Sequence, residues 1–259
     1  MCPIWLIRFK YASFFLALAA TAQADWTILS SASEPGRSGV VHRHVVLEND
    51  ARSERITVDL AIFSTKSCTL RILQNEGGAD GLADLMKDEK CLAGVNGGYF
   101  DEKFAPIGLR MASGQMIAPL QRARLITGVL VASSRGVQIV RSREFSRRPG
   151  VVAAIQCGPF LVDRGQSIGG LNDSHLARRT FAATTTGDRA LVGVCSGVSL
   201  AELSKILART SFAEDLRIER ALNLDGGSST GFWFARENSS SFSIPEQKSV
   251  RDFVGVVTR

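Results

Sequence analysis

An α+β fold in a single domain, with a large, mainly antiparallel twisted sheet and a few helices packed on it, follows from three features of this chain. Short runs of β-branched or alternating apolar residues recur along it, each bounded by Gly, Pro, Asn, Asp or Ser, so strands should outnumber helices. Only two segments carry a helical period. The 259 residues are 45% hydrophobic and hold no low-complexity tract, which suits a chain able to bury a substantial core.

The first residues stand apart. Arg8 and Lys10 precede the apolar run Tyr11 to Ala20, and Ala22-Gln23-Ala24 fits a small-residue cleavage site. Residues 1–24 therefore read as a removable export signal and residues 25–259 as the domain, exported to a periplasm or to the outside. The uncharged run falls short of the roughly 20 apolar residues a spanning helix needs, so no stable membrane anchor is expected after signal removal. Without the signal, 29 Lys and Arg face 25 Asp and Glu. This mild excess clusters only at Arg141 to Arg148 and Arg178-Arg179, without interleaved aromatics, and argues against a nucleic-acid partner. Oligomeric state is left open. Cys68, Cys91, Cys157 and Cys195 remain, an even number in an oxidising compartment, and proximity favours Cys68–Cys91 and Cys157–Cys195 among the three pairings. No cysteine or histidine spacing suits zinc, and His42 and His44 read as a solvated strand face.

In chain order, Val40 to Leu47 and Arg55 to Phe63 read as paired strands, with Cys68 to Leu73 as a third. Asp80 is placed to cap a helix whose Leu82, Leu85 and Met86 share a face. Leu92 to Val95 is a strand. Ile107 to Met111, Gly114 to Pro119, Leu125 to Ala132 and Val137 to Val140 form a meander joined by Ser- and Gly-containing turns. Val151 to Gln156 and Phe160 to Asp163 are strands interrupted by Gly158-Pro159. Phe181 to Thr186 and Ala190 to Cys195 make a hairpin. Ser199 and Glu202 form a capping box before the stripe Leu200, Leu203, Ile206 and Leu207. Arg217 to Leu224, Phe232 to Phe234 and Phe253 to Val257 complete the strands, while Glu237 to Ser249 reads as an exposed loop.

Two stretches are dense in chemistry. In Ala221 to Gly231, ALNLDGGSSTG, an apolar strand delivers Asp225 to Gly226 and Gly227, which can take positive φ, and to Ser228, Ser229 and Thr230, which bring hydroxyls and open N–H groups. In Val95 to Asp101, VNGGYFD, two glycines permit close approach of backbone and ligand beside the Asn96 amide, and two aromatics offer a stacking surface. Taken singly, each is also a glycine hairpin.

Their order with QCGPFLVDRG, ARRTF and VSLAELSKIL resembles the phosphodiester glycosidase family from about Val40 to Arg259. The resemblance implies an exported hydrolase that cleaves a small-molecule or glycan sugar 1-phosphodiester to free sugar and phosphomonoester. Such a leaving group is already a stable anion, so electrostatic stabilisation matters more than a strong general acid. In that scheme Arg179 and Thr180 hold the phosphate, together with the N–H groups of Gly226, Gly227, Ser228 and Ser229 and the serine hydroxyls. Asp225 activates water or stabilises an oxocarbenium-like carbon. Asn96 binds a sugar hydroxyl, Gly97 lets the ligand approach, Tyr99 or Phe100 stacks on the ring, and Gly158 and Pro159 line the opposite wall. Asp163 is the choice for a second carboxylate, ahead of Asp101 and Glu202. No cofactor is required, although Asp225, Asn223 and Asn96 offer hard oxygens to a divalent cation. A non-catalytic carbohydrate-binding protein would have no use for Asp225, and a hydrolase of a phosphate-free glycan linkage none for Arg179.

Overall fold

The computed structural model describes residues 26–213 and 216–259. The export signal expected at Met1 to Ala24 lies outside the described residues. In chain order the elements are β1 (Thr27–Pro35), β2 (Val41–Asn49), β3 (Glu54–Ser64), β4 (Cys68–Gln74), α1 (Leu82–Asp88), β5 (Ala93–Asn96), β6 (Arg110–Ala112), β7 (Gln115–Ala118), β8 (Gly128–Ser133) and β9 (Gly136–Arg141). They continue with β10 (Val151–Cys157), β11 (Phe160–Asp163), β12 (Gln166–Ser167), β13 (Ala177–Thr185), β14 (Arg189–Val198), α2 (Leu200–Arg209), β15 (Ile218–Asn223), β16 (Phe232–Ala235), β17 (Ser241–Ile244) and β18 (Asp252–Thr258).

The strands are divided among three antiparallel sheets. An eight-stranded sheet runs β1-β2-β3-β14-β13-β15-β11-β12, and two five-stranded sheets run β7-β6-β10-β8-β9 and β17-β16-β5-β18-β4. The Gly158-Pro159 break is where the chain leaves β10 in one sheet and enters β11 in another. One face of the eight-stranded sheet meets both smaller sheets in a shared core, with Phe63 and Val192 against Ile155, Val95 and Phe232. Its other face is covered by α2 through Leu203, Ile206 and Leu207, which share one buried cluster with Phe181 and Leu191. Helix α1 packs instead on the third sheet, through Leu82 and Met86 against Trp233 and Phe253.

Helix α2 starts as its sequence dictates. Ser199 Oγ accepts from Glu202 N at 3.1 Å, and the Glu202 side chain reaches back to Ser199 N. Ser199→Ala should therefore cost about 1 kcal/mol, read as a lowered urea midpoint at unchanged slope. Helix α1 departs from expectation: Gly81 is its cap without a side-chain bond, and the Glu246 carboxylate accepts from Leu82 N at 2.8 Å. Asp80 is turned into the loop, where its N–H donates to Asn75 Oδ1 at 3.2 Å.

Three further expectations are corrected. All four cysteines in the described residues are free and buried. Cys68 and Cys157 lie in the core between the sheets, Cys195 faces α2 and Cys91 lies beneath α1, so each expected disulfide would join different layers. Burial pushes the Cys91 and Cys157 thiols up to about 12, far from a reactive thiolate. His42 and His44 face Asp59 Oδ1, each at 2.9 Å, and His42 is buried against Phe242. Finally, Glu237 to Ser249 contains β17, paired with β16, and not merely loop.

Candidate active site

The two dense stretches meet at the ends of β5 and β15. Asp225 N–H donates to Gly97 O at 3.1 Å, Asn96 Nδ2 donates to Asp225 O at 2.7 Å, and Leu224 N–H donates to Thr180 O at 2.8 Å. Asn96 is 0% exposed, and its Oδ1 accepts from Thr180 Oγ1 at 2.6 Å and from Gly231 N at 3.1 Å. The polar atoms of Asn96 and Thr180 therefore have structural partners within the protein. Both are buried and fasten the Asp225 loop to β5 and β13.

The glycines of Asn96-Gly97-Gly98 make room for side chains rather than for substrate. A Cβ on Gly97 would lie 1.8 Å from Asp252 Oδ1, and one on Gly98 would lie 2.0 Å from Arg110 Nη2. Asp252 Oδ2 accepts from Arg110 Nε at 2.8 Å, and Oδ1 accepts from Gly98 N at 2.9 Å. The rest of the Arg110 guanidinium donates to the carbonyls of Tyr99, Ile107, Leu109 and Gln156. This fully satisfied buried pair fixes the loop that carries Tyr99. The Tyr99 hydroxyl donates to Gly158 O at 2.6 Å and accepts from Asn223 Nδ2 at 3.0 Å, tying the Gly158 wall to the end of β15.

Asp225 sits half-buried at the mouth of this frame. Burial raises its carboxyl above the usual carboxylate range, and Asp252 adds to the rise. The Ser229 hydroxyl, the Lys248 ammonium and the Gly226 N–H, 2.9 Å from Oδ1, pull the other way. Ser229 is buried, and its Oγ has no aligned hydrogen-bond partner among the described residues; the same holds for Thr230 Oγ1 and Asn223 Oδ1. Of these, Ser229 Oγ faces Asp225, and its remaining bonding capacity is one that a polar ligand or water can complete. Gly227, at φ +64°, and Ser228 open a short 3-10 turn spanning 227–229. Their N–H groups have no acceptor within it, and a Cβ on Gly227 would meet nothing within 4 Å.

Arg179 lies on β13 beside this loop, since Gly226 packs on the Arg178 and Arg179 backbone. It is 7% exposed, donates to Val198 O at 3.0 Å and His175 O at 2.6 Å, and has no carboxylate partner among the described residues. Burial lowers its pKa, as expected for a cation short of counter-charge. The Tyr99 phenol is within electrostatic reach of both Arg179 and Asp225, and with burial dominant its pKa is driven well up.

The segment after β17 closes over the motif. Gln247 N donates to Ser228 O at 2.7 Å, and Arg178 Nη2 donates to Thr230 O and, at 3.1 Å, to Pro245 O. This places Lys248 within 5.0 Å of the Phe100 ring centroid, so Phe100 supports a cation and packs edge-on against Phe104. Sequence reasoning missed Lys248, Arg110 and Asp252. A lone basic residue in a serine-rich stretch and two charges within strand-like runs carry no local signal, although a charged residue in an apolar strand is itself a hint of a buried pair.

Asp163 is not brought to the site. It lies three residues beyond Phe160 at the far end of β11, 2.7 Å from Arg141 Nη2 and 3.4 Å from Arg220 Nε. These guanidiniums hold its carboxyl below the usual range, against the opposing effect of burial, so it serves an ion-pair network. Gly158 is buried, with its carbonyl spent on Tyr99 and Asn223, and Pro159 O accepts from Asn223 N at 3.0 Å. Of the oxygens offered to a cation, Asn96 Oδ1 is taken twice over, and among the described residues no three His, Cys, Asp or Glu side chains converge as ligands.

The chain belongs to the phosphodiester glycosidase family, whose pattern it matches over residues 89–257. The particular relatives are distant. Escherichia coli YigE, an uncharacterized protein, is 32% identical over 91 residues, covering 32% of this chain and 36% of that protein. The catalytic domain of zebrafish N-acetylglucosamine-1-phosphodiester alpha-N-acetylglucosaminidase, auto-inhibited by its pro-peptide, superposes with a TM-score of 0.64 at 15% identity, over 89% of this chain and 88% of that one. A hypothetical protein from Synechocystis gives 0.56 at 15% identity, over 85% and 62%. These likenesses establish the fold. This chain thus spans about a third of its E. coli relative.

Proposed function

We propose that this protein is an exported hydrolase that cleaves the glycosyl–phosphate bond of a sugar 1-phosphodiester. The observation that carries the reading is a buried guanidinium, Arg179, without a carboxylate partner among the described residues, set beside the loop of a carboxyl raised by burial. A buried unpaired cation is costly to keep, and an anionic ligand relieves that cost. Arg179 and the open Gly227 and Ser228 N–H groups would take the phosphate, with the orphaned Ser229 hydroxyl as a further partner. Asp225, when ionised, would accept a proton from water as the water oxygen bonds to the anomeric carbon. The carbon–oxygen bond to phosphate breaks, and the electron pair leaves with the phosphomonoester, stabilised by the same donors. The Tyr99 and Phe100 rings remain as the apolar wall for the sugar. With one carboxylate acting in a single displacement, the sugar is released with inverted anomeric configuration. Export rests on the Met1 to Ala24 sequence.

The test is turnover by residues 25–259 of a panel of sugar 1-phosphodiesters, with free sugar and phosphomonoester quantified together and the first-formed anomer read by NMR. Equimolar release supports the reading. Tight binding without release would point to a non-catalytic carbohydrate-binding protein, and release from phosphate-free glycosides alone would remove the phosphate from the scheme.

The pH profile follows from Asp225. A general base must be ionised, so kcat/KM falls as pH drops through its pKa, which burial has raised. The acid limb should lie above the range of an ordinary exposed carboxylate. A limb at the ordinary position would remove Asp225 from the base role.

A further inference from the structure

The arginine-rich connector of the sequence is not used by the site above, yet it borders a groove of about 930 Å³ lined by Arg122, Arg124, Arg141 and Arg143, with Leu120 and Phe145. Its floor is held from within the core. Gln156 is 0% exposed and its amide is fully engaged: Oε1 accepts from Leu109 N and Gln121 N, both at 3.0 Å, and Nε2 donates to Gln121 O at 2.7 Å and Ile126 O at 3.0 Å. Nε2 also reaches Ser142 Oγ at 3.2 Å, so one buried amide pins both arginine-bearing segments. Arg141 is engaged by Asp163 and lies 4.2 Å over the Phe160 ring. Arg122, Arg124 and Arg143 are exposed and have no carboxylate partner among the described residues.

The groove backs onto the buried Gly158 turn. Its Leu120 to Thr127 edge presses on Gly158, whose Cβ would lie 2.2 Å from Leu125 O, and Gly158 O holds Tyr99. Thr127 Oγ1 accepts from Phe160 N at 2.9 Å on the same wall. We infer that this groove is a binding site for a polyanionic glycan, its negative charge supplied by phosphodiester links or by carboxylates and held through the exposed Arg122, Arg124 and Arg143. Guanidinium forks match both anions, and a loop clamped at each end loses little freedom on binding. Phe145 is the one aromatic lining the groove, so it offers no row of stacking platforms for single-stranded nucleic acid. The inference stands apart from the sugar-phosphate reading of the Asp225 cleft, and its test needs no turnover.

Fluorescent oligomers of poly(glycerol phosphate), polygalacturonate and neutral dextran are titrated by anisotropy, in the Asp225→Asn background so that no probe is consumed, and a single-stranded oligodeoxynucleotide is run alongside. One or both anionic glycan probes should bind, with affinity falling steeply between low and physiological salt, and dextran should not. The probe that binds identifies which anion the groove selects. Arg122→Ala/Arg124→Ala/Arg143→Ala, which alters only exposed side chains, should weaken binding by about tenfold or more. Gln156→Leu keeps every charge but frees the loop, and should weaken it as well. Equal affinity of the triple variant and its parent, or equal affinity for the oligodeoxynucleotide, would overturn the inference. Absence of turnover in the panel assay would not touch it.

Discussion

Asp225→Asn should lower phosphodiester turnover by about two to four orders of magnitude, the range for loss of a positioned base, while raising Tm at neutral pH. The two effects share one cause. Burial raises the Asp225 pKa, so between its unfolded and folded values the native state binds more protons than the unfolded state, and stability is lost as pH rises through that window. At neutral pH the ionised carboxyl is therefore a burden to the fold, and the isosteric amide removes it. The gain in Tm should vanish once pH falls below the ordinary carboxylate range. A variant that loses activity and also loses Tm at neutral pH would show that Asp225 holds the loop and does not act from it. Arg179→Ala belongs to the same test: it should cost about two to three orders of magnitude on phosphodiesters, as loss of an anion-stabilising donor does.

Arg110→Met should destabilise the protein by about 3–5 kcal/mol, because it strands Asp252 as an uncompensated buried carboxylate. The pair is 1% and 2% exposed, and water cannot replace the lost partner. Urea denaturation of Arg110→Met, Asp252→Leu and the double variant measures the coupling, and the double variant should cost far less than the two single changes added together. Activity should follow stability only in part. With the pair gone, Gly98 N–H loses the Asp252 carboxylate, the Tyr99 carbonyl loses Arg110, and kcat should fall even at temperatures where the variant is folded. Strict additivity of the two stability losses would mean that the carboxylate and guanidinium act independently.

Much of this organisation is legible from the chain. The paired strands around residues 49–54, the α2 capping box and the convergence of the NGGYF and LDGGSS stretches all follow from local rules, since period, cap and turn chemistry are written within a few residues. Direction is not. Asn96 offers the same donor and acceptor to a sugar hydroxyl and to the protein, and only the packing of β5 between β16 and β18 turns it inward to Asp225 O and Thr180. Glycine is ambiguous in the same way: Gly97 and Gly98 do mark a close approach, but what approaches is Asp252 and Arg110, distant in sequence. Asp163 follows a motif strand, which drew attention to it, and the register Asp163↔Arg220 carries it to the far end of β11, away from Asp225. Three strands escaped the reading altogether. β1 is almost wholly exposed, β12 has two residues, and β17 lies in serine-rich sequence, so none shows the apolar alternation that betrays a strand.

The position of β18 bears on how the protein comes to be assembled. It lies between β5 and β4, with Thr258 opposite Cys68, and its first residue is the Asp252 that underpins the Gly97-Gly98 loop. Closing that sheet joins residues nearly two hundred positions apart, a slow event in chains rich in distant pairings. Until residues 252–258 are in place, β4 and β5 cannot be joined through β18, and the loop bearing Tyr99 lacks its Asp252 support. The frame around Asp225 is thus among the last features to form, and a protein trimmed before β18 would present sticky strand edges.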